Sequence, residues 1–219
     1  MKDRYLAVKG ESQNEIIIEK SRFICSVKRV NGEEDAKAFV STIKDKYPDA
    51  THNCYAYIAD ENGFYIKFSD DGEPQGTAGM PMLEVLKNKK LFCTAVVVTR
   101  YFGGVKLGAG GLVRAYSDCT AKGVEKCGIV ENIYSHLVSV EVSFSLYPKV
   151  LKYFNNLTCR VVNTDYTSEG VTLTFAIPIN ELDRVSKDFA DMSSGKAQLT
   201  VKESAFFLYG DKNNANNGY

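Results

Sequence analysis

The sequence predicts an α+β protein of two domains, and three observations carry that expectation. Strand-like and helix-like segments alternate through residues 14–127, each with the periodicity proper to its type. From about Asn132 a second series reads strand, helix, strand, strand, helix, strand, the βαββαβ order of a ferredoxin-like domain. The chain has 219 residues, enough for two cores of moderate size without disulfide staples. The change of pattern places the boundary near Glu131–His136, giving domains 1–131 and 132–209 and a polar, disordered tail at 210–219.

In the first domain, residues 14–19 and 22–30 read as two short strands broken at Lys20-Ser21. Ala36, Phe39, Val40, Ile43 and Tyr47 repeat at helical spacing over 33–47, and Pro48-Asp49 closes the helix. Residues 52–60 and 64–68 form a hairpin about Glu61-Asn62-Gly63. A helix is expected from about Pro81 to Asn88, with proline in the first turn where its missing N–H costs no bond. The run FCTAVVVTRY at 92–101 is rich in apolar and β-branched residues, as a central strand covered on both faces would be. A last helix spans 112–127 and ends at Gly128. In the second domain, strands at 137–145, 158–167, 171–178 and 197–209 enclose helices at 147–155 and 180–193, the latter capped by Asn180.

Composition narrows the function classes. Twenty-seven basic residues balance 27 acidic ones, so polyanion binding has to come from a local cluster. No apolar run approaches the roughly 18–20 residues of a membrane span, and the N-terminal residues are charged and polar. A cytoplasmic protein without membrane contact is expected. Cys25, Cys54, Cys93, Cys119, Cys127 and Cys159 stand singly and read as buried thiols, and neither a metal site nor a cofactor is predicted.

Two glycine-rich segments could carry chemistry. In 100–116 a buried strand ends at Arg100, and five glycines precede a helix. Glycine permits close approach of a ligand to the main chain, and a helix N-terminus presents unpaired N–H groups with partial positive charge. Arg100, Lys106, Gly108, Gly110, Gly111 and Arg114 are therefore candidate anion ligands, although the spacing matches neither the P-loop nor the dinucleotide fingerprint. In 69–79 three carboxylates, Asp70, Asp71 and Glu73, lie between a strand and a helix. They could hold a hard cation, serve as acid and base, pair with Arg100, Lys106 or Arg114, or form an ordinary turn. His52 is a further candidate acid or base, and Cys54 shares its strand face without an evident orienting partner. No catalytic residue is assigned.

The motifs KSRF at 20–23, DATHNCYAY at 49–57, SDDGEPQGTAG at 69–79 and VTRYFGGVKLGAGGLVRAY at 98–116 together resemble the YigZ/IMPACT family (UPF0029) over about residues 20–127. The resemblance implies an N-terminal domain like the second domain of ribosomal protein S5 and a C-terminal domain like the last domain of elongation factor G. It also implies a role in translation, since the eukaryotic relatives regulate translation through a stress-kinase pathway. Three functions follow as expectations. The first is a translation-related factor that binds RNA, the ribosome or another polyanion through the basic glycine-rich surface. The second is a small enzyme acting on a phosphorylated or nucleotide substrate. The third is a scaffold that binds a translation-regulatory protein without chemistry.

Overall fold

The computed structural model describes residues 3–155, 157, 159–195 and 197–209, so the tail expected to be disordered lies outside the described residues. The chain divides into two compact units, Met1–Glu131 and Asn132–Tyr219, and both mix helix and strand in an α+β arrangement.

In the first unit the order is β1 (Arg4–Val8), β2 (Glu11–Ile18), β3 (Ser21–Arg29), α1 (Glu33–Lys46), β4 (His52–Ile58), β5 (Ile66–Ser69), α2 (Gly79–Asn88), β6 (Thr94–Tyr101) and α3 (Gly108–Cys127). Five strands make an antiparallel sheet ordered β2-β3-β6-β4-β5, with β6 at its centre. The apolar run of β6 explains its place. Val96 and Val98 face a core shared with α2 and α3, whereas Ala95 and Val97 face a second core under α1. Each such fully buried valine contributes roughly 1.5–3 kcal/mol. Register sets Arg100 of β6 opposite Phe23 of β3 and His52 of β4, one row across three strands.

Glycine lets the second loop press against the backbone at Lys20-Ser21. A Cβ on Gly103 would stand 2.0 Å from the Lys20 carbonyl carbon, backbone that cannot step aside. Gly103→Ala is therefore expected to destabilise the protein by at least about 1–3 kcal/mol, read as an earlier urea midpoint without loss of slope.

The second unit contains most of β7 (Ile129–Val142), then α4 (Tyr147–Asn155), β8 (Arg160–Tyr166), β9 (Val171–Pro178), α5 (Leu182–Ser193) and β10 (Thr200–Tyr209). Its strands are ordered β10-β7-β9-β8, the arrangement a βαββαβ chain adopts when its first and third strands are central. Val138, Val140 and Val142 alternate onto one face, where Phe154 of α4 stacks on Phe175 of β9 at 3.8 Å between ring centres and Phe189 of α5 completes the core.

Several boundaries differ from expectation for identifiable reasons. β1 is a five-residue strand too short to show a period, held where the Phe92 N–H donates to the Leu6 carbonyl at 2.8 Å. α3 begins at Gly108, four residues before the expected start, so Gly108, Gly110 and Gly111 occupy its first turn rather than a preceding loop. The strand expected at 137–145 starts earlier, as the 14-residue β7, Ile129–Val142. Asn180 caps no helix. It lies in a 3-10 turn, Ile179–Glu181, that leads into α5 without a side-chain cap.

Candidate functional site

Both glycine-rich segments leave the sheet at the end where His52 and Arg100 lie side by side. The first wraps around its own acids. Asp70 accepts hydrogen bonds from the N–H groups of Gly76 (2.9 Å), Ala78 (3.0 Å) and Gly79 (2.8 Å), so its carboxylate caps α2 from outside the helix. Asp71 adopts a left-handed φ of +46°, accepts the Asn53 N–H at 2.7 Å and pairs with Lys44 at 2.6 Å. The carbonyl oxygen of Asp71 lies 2.8 Å from His52 Nδ1. A carbonyl can only accept, so Nδ1 carries the proton and Nε2 turns toward Glu73, 3.9 Å away.

Glu73 is the hub. Its Oε1 accepts from Arg100 Nη1 at 2.6 Å and from the Tyr116 hydroxyl at 2.8 Å, with Glu73, Arg100 and Tyr116 all buried. Arg100 Nη2 donates to Ser21 Oγ at 3.4 Å, and the guanidinium packs on the rings of Phe23 and Phe102, 5.3 and 5.5 Å from their centres. The Cys54 thiol donates into the same network, 2.9 Å from the Asp70 carbonyl and 3.3 Å from the Tyr116 hydroxyl. Burial pushes the Cys54 thiol up to about 12, with the nearby carboxylates adding to the rise against the Tyr116 hydrogen bond. At neutral pH it is a protonated thiol, not a nucleophile. Burial also drives the Tyr116 hydroxyl far above the ordinary tyrosine range.

Asp71 makes stability pH-dependent. Burial alone would raise its carboxyl, but the Lys44 ammonium and the Asn53 N–H outweigh it, and the group ends below the ordinary aspartate value of 3.8. The folded state thus holds its proton less tightly than the unfolded chain. That stabilisation is complete above the unfolded value and is lost as pH falls through the lower folded one. Asp71→Asn keeps a residue tolerant of left-handed φ but cannot titrate. A flatter acid limb is expected for this variant than for the wild type in unfolding free energies measured between about pH 5 and pH 2.

The structure therefore joins Asp70, Asp71, Glu73, His52 and Arg100 in one closed network that locks the acidic loop to the sheet. Lys106, Gly108, Gly110, Gly111 and Arg114 lie apart from it, at the exposed start of α3. Neither Lys106 nor Arg114 forms an ion pair among the described residues. They line an open cavity of about 570 Å³ with Leu107, Gly111, Glu19 and Asp118, and Asp118 is itself paired with Lys122 at 2.8 Å. Leu107, at the N-cap, supplies no side-chain hydrogen bond, and the first turn carries no acidic residue. Sequence reasoning misses the parts played by Ser21, Lys44 and Tyr116. Ser21 alone has a local signal, its break between two strands. Among the described residues no group of three or more His, Cys, Asp or Glu side chains is placed to hold a metal ion. Nor is any described helix long and apolar enough to cross a membrane.

The region containing this network and the α3 surface matches the Impact N-terminal domain over residues 19–124. The chain is 40% identical to the IMPACT family member YvyE of Bacillus subtilis over 202 residues, 92% of this chain and 93% of the relative. It belongs to the IMPACT family. To the family member YigZ of Escherichia coli it is 34% identical over 188 residues, 85% of this chain and 92% of that one. Protein IMPACT of Xenopus laevis is similar over 66 residues at 41% identity, 29% of this chain and 20% of that protein. A crystal structure of a hypothetical protein superposes with a TM-score of 0.59 at 32% identity, covering 93% of this chain and 99% of its own. Residues 140–196 match a domain of unknown function, DUF1949, within the second unit. Every side chain of the Glu73 network, and Lys106 and Arg114 with it, falls inside the Impact N-terminal match.

Proposed function

We propose that this IMPACT family chain is a cytoplasmic translation factor that binds RNA, free or on the ribosome, through the start of α3. The observation that carries the reading is the uncapped, exposed, glycine-rich first turn of a 20-residue helix flanked by Lys106 and Arg114, cations without an ion pair among the described residues. The helix dipole and the unsatisfied N–H groups favour a phosphate there, and the two cations suit neighbouring phosphates of the same strand. Gly108, at φ +68°, and Gly110 leave open space where a Cβ would stand, so a backbone phosphate meets no side chain. Arg100 is not part of the surface. Its charge is spent on Glu73 inside the protein, where it holds the loop that leads to α3. Filter binding of tRNA and of rRNA fragments at low salt tests the reading. Retention is expected, and no measurable affinity for either would overturn it.

A further inference from the structure

On another part of the first unit lies a separate cavity of about 580 Å³, within the roughly 300–1,000 Å³ that small-molecule sites occupy. Its walls are apolar, formed by Tyr5 and Leu6 of β1, Ile58 of β4, Ile66 of β5, and Leu91. Ile58 and Leu91 are buried, whereas the lysines at its edge are exposed. Asn62, Gly63 and Phe92 also line it, together with four charged residues, Arg4, Lys87, Lys90 and Glu131. Arg4 is neutralised by Glu131 at 3.4 Å, and Lys87 pairs with Glu84 at 3.1 Å. Lys90 makes no ion pair among the described residues, and it stands in a left-handed turn, φ +54°, between α2 and the wall residue Leu91. A lysine gains nothing from that backbone shape, which glycine would adopt more readily. The turn ends α2, with the Leu91 N–H donating to the Leu86 carbonyl at 2.9 Å, and sets this unpaired lysine among the residues that line an apolar hole.

The geometry points to a binding site for one small amphipathic anion, its apolar body against Tyr5, Leu6, Ile58 and Leu91 and its charged head on Lys90. The site shares no residue with the α3 surface, so it stands whether or not RNA binds there. Fluorescence titration with 8-anilinonaphthalene-1-sulfonate, an aromatic body with an anionic head, tests it on the full chain. Saturable binding of one dye per chain is expected, with displacement by decanoate and not by decylamine. Lys90→Gly relieves the turn while removing the charge, so it should fold and weaken dye binding at least about fivefold. Ile66→Glu, at an exposed position of β5, should abolish it by placing a carboxylate beside the site. No saturable binding, equal displacement by decylamine, or affinity unchanged in both variants would overturn the assignment.

Discussion

Glu73→Ala is expected to lower the stability of the first unit by about 3–5 kcal/mol, the largest effect of any single side-chain truncation in the acidic loop. The cost arises from what is left behind. Arg100 would remain buried with its best partner gone, and its Nε already has no hydrogen-bond partner among the described residues. The Tyr116 hydroxyl would lose its acceptor in the same step. Two loops depend on the pair, since Glu73 sits in the segment that leads to α2 and Arg100 two residues before the segment that leads to α3. Urea unfolding followed by tyrosine fluorescence, with amide exchange of β6 as a second probe, measures the loss. Replacing both partners by apolar side chains of similar volume, Glu73→Leu with Arg100→Met, should recover most of it, because no unpaired charge is then buried. A loss under about 1 kcal/mol in Glu73→Ala would show that the pair does not brace the loops.

Charge reversal at the α3 surface is the second large effect. The double variant Lys106→Glu/Arg114→Glu should weaken binding of tRNA by about a hundredfold or more at low salt, since two phosphate contacts become repulsions. Both residues are exposed and lack ion pairs among the described residues, so the unfolding midpoint should stay at the wild-type value. Arg100→Ala would also reduce binding, but through the fold, and could not distinguish a ligand contact from a collapsed loop.

How far the sequence can be read depends on whether the deciding partner is local. β6 is legible because its apolar, β-branched run needs no partner to announce burial on both faces. The βαββαβ order of the second unit is legible for the same reason, as each period lies within one segment. Arg100 reads as an anion ligand from its sign and its place at a strand end. What makes it internal is Glu73, 27 residues earlier, together with Phe23 of a neighbouring strand, and neither is local to it. The three acids of the first loop look alike in sequence. Tertiary bonds set them apart, making Asp70 a helix cap, Asp71 a tie to Lys44 and Asn53, and Glu73 the buried hub. Glycines at 108, 110 and 111 discount helix by propensity, yet packing of Leu112, Ala115 and Tyr116 into the core carries α3 back to Gly108. The loop motifs are the most legible feature, because each is long and the structure ties its residues to partners in the other segments.

If the α3 surface holds RNA through its phosphates, binding should depend steeply on salt. Association constants for tRNA, measured by filter binding from about 50 to 200 mM salt, should fall linearly on a log–log plot. In Lys106→Ala/Arg114→Ala the slope should become shallower by about 1.5–2, the release expected for two phosphate contacts. An identical slope in wild type and variant, with both proteins folded, would contradict the assignment of the α3 surface as the RNA-binding site.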